Sequence, residues 1–323
     1  MSHALTTTNG QVEFAYRESD GLPWHGLGQA MPDDATIDQW RVAAGMDWRI
    51  KRSKVRYATA HEQRGVEMLE IPEQHVLFRS DTHAALGVVS NKYKVVQPSE
   101  VLEFFRDIVK VGGLELSAAG TIHGGARFWA TAKMGEYSTS VKDKIGGYLL
   151  ISTSADGSLS TEVRRTTIRT VCQNTLNMAL KDAPASVRIT HRSEFDIKKV
   201  QEFMGFNQDA WALFRSNIEK LANKQLVVGE AEDLAVEIIG GADQDKIRAS
   251  KGFNQVMALF KGQGMGADFD GVNGTAFGLL NGFTEYVDHW ARARSEENRF
   301  VSSQWGQGAD LKDRALSVLL AAV

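Results

Sequence analysis

The stretch Gly147-Tyr-Leu-Leu-Ile-Ser-Thr-Ser-Ala-Asp-Gly-Ser-Leu-Ser-Thr-Glu-Val-Arg-Arg-Thr-Thr-Ile-Arg169 decides how this chain is read. Residues 147–153 form an apolar run of strand length. Asp156-Gly157 is a hairpin signal, because glycine accepts the positive φ such turns demand. Residues 159–169 then alternate. Val163, Arg165, Thr167 and Arg169 share one face, and Arg164, Thr166 and Ile168 the other. Upstream, residues 126–134 alternate as well, with Phe128, Ala130 and Ala132 opposite Arg127, Trp129, Thr131 and Lys133. These runs predict an antiparallel sheet. From Val171 the spacing changes: Cys172, Leu176 and Ala179 or Leu180 stand three to four apart, which predicts a helix starting near Cys172.

On the N-terminal side, residues 48–59 read as a strand with one charged face, paired with a strand at 65–70. Residues 74–79 and 85–89 read as two further short strands. Asp33 or Asp34 is placed to cap a helix through Ile37, Trp40 and Ala44. Ser99 is placed to cap another, with Leu102, Phe105, Ile108 and Val109 as its apolar stripe. That helix ends near Gly112 and Gly113, and the glycines from 112 to 125 mark a loop. On the C-terminal side the apolar spacing is helical from 194 to 239, as two helices parted near Gly229. A helix at 246–260, a glycine-rich loop at 261–274 and helices at 275–293 and 310–320 complete the chain. The expected class is α+β: an antiparallel β-sheet core in the N-terminal and middle part with a mainly helical C-terminal part. The expected division is 1–193, a mixed α/β region, and 194–323, a helical region.

Composition excludes several function classes. The 323 residues carry 37 Lys and Arg against 40 Asp and Glu, so net charge gives no general attraction to phosphate. Any nucleic-acid site must be a local patch. Cys172 is the one cysteine, which rules out an intrachain disulfide and any cysteine-cluster metal site. The first ten residues are polar, so no secretion signal is expected, and no apolar run nears the roughly 20 residues a bilayer span needs. Cytoplasmic placement is the expectation, with no cofactor and no membrane partner.

The first candidate site is the basic band Arg49, Lys51, Arg52, Lys54, Arg56 and Arg64, with Glu62 its one acid. A phosphate backbone could lie along such a strand, and an edge strand protected by charge is the plain alternative. The second gathers Arg164, Arg165, Thr167 and Arg169 with Gln173, Asn174 and Asn177. Arg165 and Arg169, solvent-facing and roughly 13 Å apart at about 3.3 Å per residue, would grip phosphates, with amides from the following helix start nearby. Asn174 and Asn177 would share one side of that helix. A polar network fixing the strand–helix joint is the alternative.

Two weaker candidates follow. Gly262-Gln-Gly-Met-Gly266 lacks the GxxxxGK[ST] arrangement and reads as a connector. Glu285, Asp288 and His289 could hold a metal, but without HExxH they read as an intrahelical pair, so no metal is expected. Trp24, Trp40, Trp48, Trp129 and Trp211 could stack on bases and more commonly are core.

Four ordered motifs carry a resemblance: Leu22-Pro-Trp-His-Gly-Leu-Gly28, Asn91-Lys-Tyr-Lys-Val-Val-Gln-Pro98, Arg169-Thr-Val-Cys-Gln-Asn-Thr-Leu176, and Gly274-Thr275 followed by Asn281-Gly-Phe-Thr-Glu-Tyr-Val-Asp-His289. Together they resemble the phage/plasmid-like proteins with domain of unknown function 932, from about Leu22 to Leu320. That resemblance implies mobile-element cargo and supplies no mechanism. The strand order and basic strands also resemble the core of single-strand annealing proteins of homologous recombination, which implies oligomers holding single-stranded DNA in a basic groove. The expected function is therefore a phage or plasmid protein of DNA metabolism that binds single-stranded DNA, annealing strands as a homo-oligomer. The alternative is a non-catalytic structural or regulatory protein-interaction module. An unfamiliar hydrolase or nuclease built on Glu285, Asp288 and His289 is a third class.

Overall fold

A computed structural model describes residues 5–23, 26–61, 65–112, 114–140, 143–169, 174–177, 186–191 and 207–323. For Arg169, Asn174 and Asn177 it describes the backbone alone. The class is α+β, with sheets in the N-terminal and middle parts and helices after residue 207.

The strands that enter the large sheet are β3 (Phe14–Arg17), β4 (Gln29–Met31), β8 (Glu115–Ile122), β9 (Arg127–Ser140), β10 (Asp143–Ser154), β11 (Thr161–Arg169), β12 (Asn174–Asn177) and β13 (Ser186–Ile189). Their order is β12-β11-β10-β9-β8-β3-β4, with β13 beside β12 on the same edge of β11. Every pairing is antiparallel except β3 with β4. The strands β1 (Thr7–Thr8) and β2 (Gln11–Val12) pair separately. Read as loop from its glycines, β8 is a central strand. Gly120 lets β3 come close, since a Cβ there would sit 2.8 Å from the Glu13 carbonyl oxygen.

The hairpin after β10 forms as its turn residues predict. Gly157 has φ 76°, and Asp156 Oδ1 accepts from the Ser158 amide at 2.8 Å. The segment beyond β11 departs from expectation. Residues 174–177 are strand, paired Arg169↔Asn174 to Thr166↔Asn177. Free ladder groups on β11 outweigh the helical spacing of Cys172 and Leu176. Cys172 and Gln173 themselves lie outside the described residues.

A smaller sheet joins β5 (Ile50–His61), β6 (Gly65–Arg79) and β7 (Ala85–Ser90). The two strands expected at 65–70 and 74–79 are one. Its register jumps from Arg56↔Glu70 to Lys54↔His75, leaving a bulge that takes Pro72, which has no N–H to give a ladder, and Glu73 at φ 62°. Beyond the bulge the two strands continue as a ribbon with exposed residues on both faces.

Helix α1 (Ile37–Ala43) is capped by Thr36, not by Asp33 or Asp34. Thr36 and Gln39 form a capping box, and Asp33 instead pairs with Arg17 at 3.3 Å. Helix α2 (Pro98–Gly112) begins on Pro98, not on a Ser99 cap. Proline suits the first helical position, and the Gln97 amide donates to Glu100 at 2.7 Å. With Trp40, Met46, Leu77, Phe128, Leu149 and Val163, the α2 residues Leu102 and Phe105 fill the first core.

The second core lies among α3 (Asn207–Asn223), α4 (Val228–Ile239), α5 (Gln244–Arg248), α6 (Lys251–Ala258), α7 (Ala276–Glu285), α8 (Glu296–Trp305) and α9 (Gln307–Ala321). Ile218, Leu221, Phe253, Leu279, Phe283 and Leu319 fill it, and Ile145 of β10 joins them. π-Helical turns Leu259–Gln263 and Tyr286–Trp290 extend α6 and α7. The sequence reading missed α8, which starts on a Ser295 cap. No described helix is long and apolar enough to cross a membrane.

Candidate nucleic-acid interface

The basic band is exposed, as a strand with charged residues requires. Arg49, Lys51, Arg52, Lys54 and Arg56 all face solvent on or beside β5, while Ile50 turns into the core. Arg64 lies outside the described residues. Two of these charges are already neutralised. Lys54 Nζ and Arg56 Nη2 reach Glu70 at 2.7 and 2.9 Å. The Glu70 carboxyl is held below its usual range, first by the hydrogen bond from Lys54 and then by that from Arg56. Arg49 and Lys51 have no ion pair among the described residues.

The second group is differently placed. Arg164 and Thr167 are buried, and Arg165 is 0 % exposed. The expectation that Arg165 faces solvent is therefore corrected. Register explains why: Arg165 lies opposite Leu149 and shares a face with Val163, so it points where the first core is. Burial pushes its guanidinium down to about 10, which still leaves it cationic at neutral pH. On the opposite face Arg164 binds Glu162 and the Gln304 carbonyl of α8. Glu162 also accepts from Arg188 Nε at 2.9 Å. A buried polar network is present here, but it joins β11 to β13 and α8; in place of the expected strand–helix joint, residues 174–177 are a strand. Asn174 and Asn177 lie on a strand rather than on one side of a helix, and no helix start stands at 174 to lend its amides. The side chain of Arg169 lies outside the described residues.

The two weaker candidates meet each other. The Met265 amide of the glycine-rich loop donates to Glu285 Oε2 at 2.9 Å. Asp288 binds Lys312 Nζ at 2.9 Å and the Thr175 amide at 2.9 Å, tying β12 to α9. Trp40 and Trp48 are core, Trp129 packs on Phe14, and Trp211 stacks on Phe214, while Trp24 lies outside the described residues.

The structure assembles a groove that sequence spacing did not show. It has a volume of about 470 Å³ and is lined by Arg52, Asn91, Lys92, Tyr93, Lys94 and Val95. None of these residues is acidic. Arg52 reaches it because it is exposed on the same side of β5 as Ile50, which places Nη2 2.8 Å from the Tyr93 carbonyl oxygen. Lys92 and Lys94 are exposed and have no ion pair among the described residues. Tyr93 donates its hydroxyl to the Ser154 carbonyl at 2.7 Å and stacks on His191, centroids 4.4 Å apart and planes 18° from parallel. Burial, ahead of all else, pushes its phenol up to about 12, so it stays a neutral donor.

A family model, Domain of unknown function (DUF932), matches residues 85–305. The chain belongs to this family. The DUF932 match takes in three of the four motifs, including Asn91-Lys-Tyr-Lys-Val-Val-Gln-Pro98, whose first five residues line the groove. Arg52 and the rest of β5 lie outside it. No curated protein and no solved structure matches the chain.

Proposed function

We propose that this DUF932 chain binds single-stranded DNA in the groove between β5 and residues 91–95, within the DNA metabolism of a phage or plasmid, with strand annealing as the outcome. The carrying observation is the groove itself: Arg52, Lys92 and Lys94 around Tyr93, with no acidic lining residue. Cations beside an aromatic ring suit single strands, whose phosphates and base faces lie within one side chain's reach. A groove of about 470 Å³ has room for a nucleotide. Arg49 and Lys51 alternate with Trp48, Ile50 and Arg52, so they add positive charge on the opposite face of β5, outside the groove. The earlier assignment to Arg164, Arg165 and Thr167 is set aside, because buried guanidinium and hydroxyl groups are out of a phosphate's reach.

Titration of a fluorescent thymidine oligonucleotide at low and high salt tests the reading. Binding that weakens linearly in log salt is expected, since each phosphate contact releases a counterion. Absence of binding at low salt would overturn it.

A second reading, a protein-interaction module that assembles copies of this chain, is favoured by the ribbon. Tyr57, Val66, Met68 and Leu69 there are exposed by 47, 74, 58 and 37 %. Apolar side chains on a two-stranded ribbon call for a cover. Sedimentation of wild type against Val66→Ser/Met68→Ser separates the two: the module reading needs these residues for assembly, and the groove reading does not.

A further inference from the structure

His191 follows β13 and stands where three segments meet. Its Nδ1 is 3.0 Å from the Lys94 carbonyl oxygen, and its Nε2 is 2.9 Å from the Leu159 carbonyl oxygen. Both partners can only accept. A neutral imidazole carries one N–H, so it satisfies one of them and turns a lone pair toward the other. The imidazolium carries two and satisfies both. The backbone repeats the clasp, since the Lys94 amide donates to the His191 carbonyl at 2.5 Å. The stack on Tyr93 also favours a positive ring, because an aromatic face attracts a cation.

We infer that His191, as the imidazolium, is the positioning residue of the groove: it clasps residues 93–94 to the β10–β11 hairpin, and loss of one ring proton releases that wall. The consequence for DNA rests on the groove reading, while the protonation state does not. Lys92 and Lys94 on the loop oppose a positive ring. Asp156 on the hairpin turn, whose charge also acts on Tyr93, favours it. Arg188 on β13 is committed to Glu162. The phenol of Tyr93 is neutral throughout. The clasp is therefore complete with the imidazolium and loses one of its two ring hydrogen bonds with the neutral ring.

Two measurements on the full chain test this. Nitrogen-15 spectra of the histidine rings at pH 6 and pH 8 report whether both His191 nitrogens carry protons. Oligonucleotide affinity across the same range, at constant salt, is compared for wild type and His191→Phe, which keeps the stack and removes both hydrogen bonds. We expect a doubly protonated ring at pH 6 and affinity about fivefold weaker at pH 8, the worth of about one hydrogen bond. The His191→Phe variant should be weak at both. The comparison is needed because His61, His75 and His83 also stand on or beside the small sheet. A neutral ring at pH 6 overturns the inference, as do equal pH profiles in the two proteins. If no oligonucleotide binds at any pH, the groove reading fails and the ring spectrum alone decides the role of His191. The same spectrum decides if His191→Phe does not fold.

Discussion

Lys54 and Arg56 share one carboxylate, that of Glu70, at 2.7 and 2.9 Å. The bulge makes this possible by setting Glu70 opposite Arg56 while Lys54 pairs with His75. A single acid thus masks two of the five described cations of the band. Glu70→Gln unmasks both. Oligonucleotide affinity should rise in this variant and its salt dependence should steepen by about one to two units of slope, read by fluorescence anisotropy at several salt concentrations. The fold should hold, because exposed ion pairs contribute little.

Arg165 gives the opposite case. With 0 % exposure beside Leu149 and Val163, it belongs to the folded interior. Arg165→Ala should cost more than about 2 kcal/mol in denaturant unfolding, because it opens a cavity in the interior. Arg165→Met, which keeps most of the volume, should cost less. Neither change should alter the oligonucleotide affinity of the folded protein.

Glu162 ties stability to acid. It is 1 % exposed between Arg164 and Arg188. Burial alone would raise its carboxyl, but the Arg164 charge and hydrogen bonds from Arg164, Ser186 and Arg188 outweigh it and hold the group below 4.5. A depressed carboxyl contributes stability that is complete above its unfolded value and disappears as pH falls through the folded one. Melting temperature should therefore fall with pH below about 4.5. Glu162→Gln should flatten that slope and cost about 3 kcal/mol at neutral pH, because it leaves buried Arg164 without its counter-charge.

Gly147 sets the fit of the sheet against α3. A Cβ there would lie 2.6 Å from the Trp211 ring. Gly147→Ala should destabilise by about 1 to 3 kcal/mol through overpacking, and Trp211 fluorescence should shift as the ring moves.

Much of the fold was readable from alternation. Residues 126–134 and 147–169 gave β9, β10, β11 and their hairpin, because period-two patterning and an Asp-Gly turn are local signals. The strand at 174–177 was not readable: Cys172 and Leu176 sit at helical spacing, and the unpaired edge of β11 that captures this segment is a long-range fact. The burial of Arg165 did leave a trace, since Val163 is on its face, but two arginines in sequence read more readily as surface. The groove was the least visible feature. Arg52 is about 40 residues from Lys92 and Lys94, and His191 is roughly another hundred further on. Only the bulged small sheet and the β11–β13 register bring them together.

The most direct measurement is the salt slope of oligonucleotide binding for wild type against Arg52→Ala/Lys92→Ala/Lys94→Ala. These cations are exposed, so the melting temperature should stay near wild type. The account predicts affinity at least about tenfold weaker and a slope shallower by about two to three units, one for each lost phosphate contact. Unchanged affinity and slope in a folded triple variant would contradict it.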